Sequence, residues 1–297
     1  MSGNNRRLSQ RAVELLNSSD EERLTHIDKP FFIPYQRASE LLAEMEDLLE
    51  HPKVNRMPNF LIVGRSDNGK TEVLREFLKR HPAEDRCGYD TAYAPVIYIQ
   101  SPPGPSEHIF LNNLLMLLGA VVKPNDSSDR KLLQLLAILP RLQTKILMVD
   151  ELNALLAGSA TKQRFMLNML KFISNELQIC IVAAGTLEAE HAIRSDAQLQ
   201  SRFPLRTLPR WQQGEDFRRL LYNFEYILPL KLPSEIYKGE IASKLYGLSE
   251  GVIGEVAKIL RSAAKQAIKN GEERISMEVI TSCPYVSRKG NIDIELL

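Results

Sequence analysis

The stretch of sequence that decides the fold is NFLIVGRSDNGKTEVLREF, residues 59–77. Its apolar start is typical of a short buried strand that ends at Gly64, and a helix-like pattern begins at Lys70. The residues between them, GRSDNGKT at positions 64–71, fit the pattern G-x-x-x-x-G-K-[ST] of a phosphate-binding loop. Such a match can arise by chance, but a strand before it and a helix after it favour phosphate binding.

The physical reason for this arrangement is the convergence of backbone N–H groups. Glycines let successive N–H groups point at one anion, and the N-terminus of the following helix adds its own unpaired N–H groups. Lys70 can then reach the β- and γ-phosphates, and the hydroxyl of Thr71 can bind Mg²⁺. We therefore expect the following residues to contact a nucleotide: Gly64, Arg65, Ser66, Asp67, Asn68, Gly69, Lys70, Thr71 and Glu72.

Two acidic residues, Asp150 and Glu151, close a later apolar run, KILMVDEL. Ligands of open α/β sheets gather at the carboxyl ends of the strands. We predict that Asp150 holds the Mg²⁺ shell and that Glu151 orients or activates the attacking water. The alternative for both is a pair of solvated acids at a strand end.

Two residues further along the chain are candidates to complete a catalytic site. Thr186 ends the run LQICIVAAGT, and it could sense the γ-phosphate or cap the next helix. Arg202, in QLQSRFPLR, could reach the nucleotide of a neighbouring subunit, because a guanidinium carries a permanent charge and forked donors. The alternative for Arg202 is a surface salt bridge, and Arg194 and Arg206 are rival candidates for its role.

The order of elements predicts an α/β fold. From Asn59 onward, continuous apolar runs of strand length alternate with helical patterns, which indicates a parallel sheet covered on both faces. FPLRTLPRW supplies a fifth strand, and after Trp211 only helical patterns follow. We expect a three-layer sandwich with a parallel five-stranded sheet and a separate all-helical subdomain. The expected parts are an N-terminal extension (1–57), a nucleotide-binding domain (58–211) and a C-terminal helical subdomain (212–297).

Composition restricts the other possibilities. The chain has 297 residues, of which 44% are apolar, and a net charge of +1, so any nucleic-acid contact should be confined to a local patch. The cysteines at 87, 180 and 283 lack metal-ligand spacing, and their odd number argues against a disulfide framework. No apolar stretch suits a membrane span and the N-terminus lacks a signal-peptide core, so we expect a cytoplasmic location.

The order of these motifs resembles the AAA+ ATPases, the ring- or filament-forming branch of P-loop NTPases. GRSDNGKT, ILMVDE, IVAAGT, SRF and a helical C-terminal lid carry this resemblance. Four longer segments resemble the TniB/TnsC family of transposition ATPases, and TniB in particular. They are FIPYQRASELL, GRSDNGKTEVLREF, GEDFRRLLYNFEYILPLKLP and SEGVIGEVAKILRSAAKQAI, which together span most of the chain.

This resemblance implies a regulator of DNA transposition that depends on ATP and Mg²⁺. Such proteins assemble head-to-tail on double-stranded DNA as rings or filaments, mark the target and recruit a DDE-type transposase, and ATP hydrolysis drives disassembly. The resemblance also assigns roles to matching positions: phosphate binding to Lys70 and Thr71, metal binding to Asp150, water activation to Glu151, γ-phosphate sensing to Thr186 and trans-acting catalysis to Arg202.

One position departs from the family pattern. Many AAA+ lids carry a second sensor arginine in a pattern such as G-x-x-R, where this chain has GVIGE at 251–255. We therefore expect coupling of the lid to the γ-phosphate to be weak or absent. Gly254 could instead let adenine or ribose approach the lid backbone. Tyr35 could stack on adenine, although a tyrosine of the core is the alternative.

The signal for DNA contacts is weak. In the related proteins the DNA-facing elements follow the second strand, and here that region offers four candidates: His108, Lys123, Arg130 and Lys131. Acidic residues lie among them, so a solvated face is an alternative for each. In a ring, one or two contacts per subunit would add over many subunits, which predicts low sequence specificity and strong salt dependence.

Two other functions stay open on the sequence alone. A nucleotide-switched DNA-binding scaffold would bind ATP with negligible hydrolysis, although Glu151 argues against complete inactivity. A replication-type AAA+ helicase or clamp loader would share the motifs, but no further DNA-binding domain is evident, which favours the transposition regulator. The segment YVSRKGNIDIELL, residues 285–297, is a candidate contact for a partner protein, and a docked or disordered terminus is the equal alternative.

Overall fold

The computed structural model describes residues 7–86, 92–123, 125–195 and 197–284. Their contacts divide them into two compact units. The sheet unit is Gln36–Pro209, and the helical unit comprises the described residues up to Tyr35 and from Arg210 onward. Cys87 and the candidate partner segment at 285–297 lie outside the described residues.

The sheet unit is built on parallel strands: β1 (Phe60–Val63), β2 (Val96–Gln100), β3 (Ile146–Asp150), β4 (Cys180–Gly185) and β5 (Leu205–Thr207). They form one sheet in the order β2-β3-β4-β1-β5, and all neighbours are parallel. Every residue of β1, β3 and β4 is buried, as strands covered by helices on both faces require. The predicted α/β fold with a parallel five-stranded sheet is confirmed.

Helices surround this sheet and build the second unit. In chain order they are α1 (Gln10–Leu15), α2 (Asp20–Asp28), α3 (Gln36–Glu50), α4 (Lys70–Arg80), α5 (Glu107–Leu117), α6 (Ser128–Arg141), α7 (Leu152–Leu155), α8 (Ala160–Leu177), α9 (Leu187–Arg194), α10 (Ala197–Arg202), α11 (Glu215–Ile227), α12 (Gly239–Ser249), α13 (Ile253–Lys269) and α14 (Met277–Ser282). Helices α3 to α10 belong to the sheet unit, and the others form the helical unit. Within the described residues, none of these helices is both long and apolar enough to cross a membrane.

Each unit has an apolar core of its own. In the sheet unit, Leu147 of β3 belongs to a buried cluster that includes Phe110 of α5 and Leu170 of α8. In the helical unit, Phe217 of α11 and Ile259 of α13 are buried in a second cluster. The described residues after Trp211 are mainly helical, as expected, and their core also includes Ile27 and Ile33 from the N-terminal part of the chain.

The unit boundaries differ in part from the expected domains. The division between Pro209 and Arg210 lies close to the expected one at 211/212, whereas the expected N-terminal extension, residues 1–57, is divided between the two units. Helices α1 and α2 contact α11 and α13 of the helical unit, because Ile27 and Ile33 join the helical core. Helix α3 contacts α4 and β4, and buries one apolar face in the sheet unit.

The topology brings three chemically important strand ends to one edge of the sheet. Strand β4 pairs with β1, so that Val63 lies beside Gly185, and it also pairs with β3. Because the strands are parallel, Gly64, Asp150 and Gly185 share the carboxyl edge of the sheet. This is the edge where open α/β folds bind their ligands.

Candidate nucleotide-binding site

The loop between β1 and α4 has the backbone conformation that its glycine pattern predicts. Gly69, the N-cap residue of α4, has a φ of +87° in the left-handed region, which glycine adopts without steric cost. Asn68 is buried, and its side-chain amide donates hydrogen bonds to the carbonyls of Leu208 (2.6 Å) and Pro209 (2.9 Å). The loop is therefore fixed to the chain segment that follows β5.

Lys70 is a buried cation with neutral partners. It is 3% exposed, and its Nζ donates to the carbonyls of Gly64 (2.9 Å) and Arg65 (2.9 Å). Burial lowers the pKa of Lys70, and the charges of Glu151 and Asp150 oppose that shift. Among the described residues no carboxylate forms an ion pair with Lys70, so an anion in the loop could take the place of the carbonyls.

Asp150 lies at the end of β3, directly beside the start of α4. It is 1% exposed, and its Oδ2 accepts hydrogen bonds from Thr71 Oγ1 (2.7 Å) and Tyr98 Oη (2.9 Å). Its Oδ1 accepts from the backbone N–H of Glu151 (2.8 Å). Burial first, and then the Asp150 charge, raises the pKa of Tyr98 to about 12, so the phenol keeps its proton and donates.

The chemistry of this donor set fits Mg²⁺. Thr71 and Asp150 offer oxygens, which Mg²⁺ prefers, and their contact shows that both can face one ion. Among the described residues there is no group of three or more His, Cys, Asp or Glu side chains that could hold a metal. At nucleotide sites Mg²⁺ typically takes one or two protein oxygens and completes its shell with phosphate and water.

Glu151 has a strained backbone and a tethered side chain. Its φ of +52° and ψ of +44° lie in the left-handed region, which residues other than glycine adopt rarely. Asn153 Nδ2 donates to Glu151 Oε2 (3.2 Å). Strain of this kind is concentrated at functional sites, because the surrounding structure must hold it in place.

Thr186 follows β4, and its backbone and the Glu151 carboxylate both form hydrogen bonds with the side chain of Asn153. Its backbone N–H donates to Asn153 Oδ1 (3.2 Å), and its hydroxyl donates to the carboxylate of Glu188. That hydroxyl bond is the largest cause of a lowered pKa at Glu188. Thr186 is the N-cap residue of α9 by position, but its side chain makes no capping hydrogen bond. Its strand, β4, pairs with β3, which ends at Asp150.

Arg202 ends α10, and its Nη1 donates to Asn175 Oδ1 of α8 (3.0 Å). Burial first, and then the positive charge of Arg56, lowers its pKa. The two rival arginines have carboxylate partners: Arg194 pairs with Glu190 (2.8 Å) and Arg206 with Glu44 (2.5 Å). Among the three, only Arg202 makes no ion pair within the described residues.

The structure corrects the expectation that Lys131 faces DNA. Lys131 is 0% exposed, and its Nζ lies 2.8 Å from Nε2 of His108, so neither group points freely at a phosphate. The reason is the phase of α6, because Lys131 stands four and eight residues before the buried Leu135 and Leu139 and shares their face.

The other two DNA candidates lie at the surface of the same region. Arg130 pairs with Asp126 (3.3 Å) and is exposed, and Lys123 is exposed. Surface cations of this kind can move toward a phosphate at little cost, because an exposed ion pair contributes little stability. Their role in DNA binding stays a prediction.

The remaining predicted nucleotide contacts belong to the helical unit. Tyr35 is half-buried and meets the ring of Trp211 edge-on, with the ring centroids 5.1 Å apart. Gly254 lies in the first turn of α13. Glu255 is 4% exposed and pairs with Lys258 (2.9 Å), so a buried acid occupies the region where a second sensor arginine is typical. Contacts of Tyr35 and Gly254 with a nucleotide stay predictions.

Two residues of the site were not predicted from the sequence. Tyr98 stands in β2, and the signal for it in the sequence is a hydroxyl within the run VIYI, whose other three residues are apolar. Asn153 stands in the short helix α7, and nothing in the run ELNALL distinguishes it from a surface amide. Both contact the acids that end β3, which became visible only once the neighbouring elements were placed.

The fold and the loop together define the class of the protein as a P-loop protein with an AAA+ fold. A family profile described as "Bacterial TniB protein" matches residues 23–213, which is more than half of the chain. The chain belongs to the TniB family. No curated protein matches it by sequence.

Solved structures show the same fold at low sequence identity. The Aeropyrum pernix ORC1 protein in complex with DNA is 19% identical with a TM-score of 0.64, over 88% of this chain and 68% of that chain. The Aeropyrum pernix ORC2 protein, in ADPNP-ADP complexes, is 16% identical with a TM-score of 0.59, over 86% and 69%. CDC6P from Pyrobaculum aerophilum is 16% identical with a TM-score of 0.61, over 90% and 75%.

Proposed function

We propose that this protein is a Mg²⁺-dependent ATPase that assembles on double-stranded DNA and regulates transposition. The observation that carries the proposal is the junction of Thr71 with Asp150 (2.7 Å) directly beside the buried Lys70. A cation, a hydroxyl and a carboxylate at the carboxyl edge of a parallel sheet are the groups that bind a nucleoside triphosphate and its metal.

Each group has a role in binding the nucleotide. The amides of residues 64–71 and the N-terminus of α4 surround the phosphates, and Lys70 exchanges its two carbonyl partners for phosphate oxygens. Thr71 and Asp150 hold Mg²⁺, which neutralises charge on the phosphates when it is bound. Tyr98 keeps the Asp150 carboxylate oriented by donating to its Oδ2.

Glu151 is the proposed acceptor for the proton of the attacking water. Its carboxylate must be ionised and point at that water, and Asn153 holds it by one amide hydrogen bond. The same amide contacts the backbone of Thr186, the proposed sensor of the γ-phosphate. Asn153 therefore links the water-activating acid to the end of β4.

The TniB family and the fold support the remaining parts of the proposal. We propose that subunits assemble head-to-tail, that Arg202 acts on the nucleotide of a neighbouring subunit, and that the assembly recruits a DDE-type transposase and disassembles on hydrolysis. One structure with this fold is a protein in complex with DNA, which agrees with a DNA-bound assembly. A cytoplasmic location belongs to the same proposal.

A scaffold that binds ATP with negligible hydrolysis is a second candidate. The observation that favours it is the hydroxyl of Thr186, the proposed γ-phosphate sensor, which donates its hydrogen bond to Glu188. Turnover of ATP by the wild-type protein on DNA, measured as phosphate release, separates the two candidates. Release that matches the background supports the scaffold, and release that Glu151→Gln abolishes supports the ATPase.

Assembly on DNA tests the proposal as a whole. Sedimentation with double-stranded DNA should require ATP, weaken strongly between low and moderate salt, and show little preference for sequence. In Glu151→Gln, assemblies formed with ATP should persist. Co-purification with a DDE-type transposase then distinguishes a transposition regulator from a replication-type AAA+ protein. Binding to DNA that ignores both nucleotide and salt would contradict the proposal.

A further inference from the structure

A second arginine stands beside Arg202 at the surface of the sheet unit. Arg56 is exposed and precedes β1, and its Nη2 donates to the hydroxyl (2.7 Å) and the carbonyl (3.4 Å) of Ser201. Ser201 directly precedes Arg202, and the charge of Arg56 contributes to the lowered pKa of Arg202. Two guanidinium groups are therefore neighbours on one surface.

Within the part of the chain that the structure describes, neither guanidinium has an anionic partner. Arg202 donates to the neutral amide of Asn175 and Arg56 to Ser201, and within the described residues neither makes an ion pair. Two like charges at close range repel each other, and the usual compensation is a carboxylate or a bound anion between them. The forked donors of paired arginines suit the oxygens of a phosphate group.

The surface beside this arginine pair is apolar. Helix α8 exposes Phe165 (55%) and Phe172 (45%), which stand seven residues apart on one helical face. Asn175, the partner of Arg202, stands three residues after Phe172 on the same face. Exposed aromatic side chains beside arginines are typical of protein–protein interfaces, whereas DNA backbones are met mostly by cationic and polar groups.

We propose that Arg56 and Arg202 form one phosphate-binding pair, and that a second copy of this chain supplies the phosphate as its bound nucleoside triphosphate while covering Phe165 and Phe172. The inference rests on the proposed function and adds to it a second arginine and the apolar part of the contact. The surface that receives the triphosphate differs from the one that holds it, so the contact is head-to-tail and can be repeated along an assembly.

Mixing experiments with full-length subunits test whether Arg56 acts across the interface. Arg56→Ala alone should lower ATP turnover on DNA about tenfold to a hundredfold, the effect expected when one charge-assisted hydrogen bond is lost. Mixtures of Arg56→Ala with Lys70→Ala subunits should regain turnover, because some sites combine an intact Lys70 with an intact Arg56. Arg56→Lys should recover only part of the turnover, because an ammonium lacks the forked donors. Failure of every mixture to regain turnover, with assembly intact, would overturn the proposal.

The apolar part is tested by self-association in the presence of MgATP, measured by analytical ultracentrifugation without DNA. Phe172→Ser should weaken self-association, whereas Arg218→Ala, a change at an exposed arginine of the helical unit that has no ion pair among the described residues, should leave it unchanged. Unchanged self-association in Phe172→Ser contradicts the proposed surface.

Two further readouts separate this inference from its alternatives. If Arg56→Ala lowers DNA binding while turnover without DNA and self-association match the wild type, the phosphate belongs to DNA and the inference is wrong. If the wild-type protein binds no MgATP, the proposed function is wrong, and the inference about the arginine pair is wrong with it. If the wild type turns over ATP and Arg56→Ala equals Arg218→Ala in every assay, only the inference fails.

Discussion

The buried charged side chains of the two units have different partners. In the sheet unit, the buried Lys70 and Asp150 contact carbonyls, hydroxyls and one amide, and within the described residues neither forms an ion pair. In the helical unit, the buried Arg23 forms two hydrogen bonds with the carboxylate of Glu273, one with Asp20 (2.9 Å) and two with the carbonyl of Pro229.

Glu225 is another buried charged residue of the helical unit with several hydrogen-bond partners. Its carboxylate accepts from three consecutive backbone N–H groups, those of Ser234 (2.8 Å), Glu235 (2.9 Å) and Ile236 (3.0 Å). Removing one member of the Arg23–Glu273 pair is costly, because the other charge is left uncompensated, and the partners of Glu225 are fixed backbone groups. Lys70 and Asp150 instead lie at the sheet edge where open α/β folds bind ligands, and their carbonyl and hydroxyl partners can be exchanged for a ligand. The comparison therefore assigns binding to the charges of the sheet unit and stability to those of the helical unit.

The largest expected effect is on ATP hydrolysis in Glu151→Gln. Loss of a general base typically lowers turnover by about 10²- to 10⁴-fold, while the amide keeps the size of the side chain. Phosphate release under saturating MgATP measures the change, and nucleotide affinity should be retained. Glu50→Gln, which alters an exposed acid at the end of α3, should keep most of the turnover. Equal turnover in Glu151→Gln and wild type would show that Glu151 does not activate the attacking water.

The next effect concerns stability and the helical unit. Arg23→Met should lower the free energy of unfolding by about 1–3 kcal/mol, because among the described residues Glu273 keeps only Lys231 (3.2 Å) as a partner and the carbonyl of Pro229 loses its donors. Urea unfolding measures this, with Arg11→Met as the control, since Arg11 forms an exposed pair with Glu14 that contributes about 1 kcal/mol or less. MgATP affinity of the folded variant should match the wild type. A loss of affinity without a loss of stability would reverse the roles that the comparison assigns.

A smaller effect is the pH dependence of that stability. The hydrogen bond from Arg23 is the main cause that lowers the pKa of Glu273 from 4.5 to about 2. A lowered carboxylate pKa stabilises the fold above the unfolded pKa, and this stabilisation is lost as pH falls from about 4.5 toward 2. Glu273→Gln should therefore unfold more easily at neutral pH and lose less stability over that interval. Parallel acid-unfolding curves for the variant and the wild type would contradict the assignment.

The smallest expected effect is on the Mg²⁺ requirement in Tyr98→Phe. This variant keeps the ring and removes one hydroxyl donor from Asp150, a loss of about 0.5–1.5 kcal/mol. The Mg²⁺ concentration for half-maximal nucleotide binding should rise about twofold to tenfold. Fluorescence titration at constant ATP measures it, and Tyr226→Phe in the helical unit is the control. If both variants require the same Mg²⁺ concentration as the wild type, Tyr98 does not position Asp150.

The sequence predicts the strand, loop and helix at residues 59–77 well because the signal is local. Spacing alone positions Gly69 and Lys70, and α4 begins at the lysine, as expected. The acids at 150 and 151 are also predicted, since an apolar run that ends in acids marks the carboxyl edge of a parallel sheet. These features need no knowledge of distant contacts.

The remaining features depend on contacts between elements that lie far apart in sequence. Asn153 and Tyr98 acquire meaning only when β2, β3 and β4 are neighbours. The burial of Lys131 follows from the phase of α6, which the apolar positions Leu135 and Leu139 indicate once the helix is assigned. The contact between α2 and α13 joins elements from opposite ends of the chain, and no local sequence pattern predicts it.

The central claim is that a nucleoside triphosphate and Mg²⁺ bind at the loop before α4 through Lys70. Titration calorimetry of MgATP into folded wild-type protein, Lys70→Ala and the exposed control Lys79→Ala tests it directly. The account predicts uptake by the wild type and by Lys79→Ala, and little or none by Lys70→Ala. Absence of uptake by the wild type, or equal affinity in Lys70→Ala, would contradict the account.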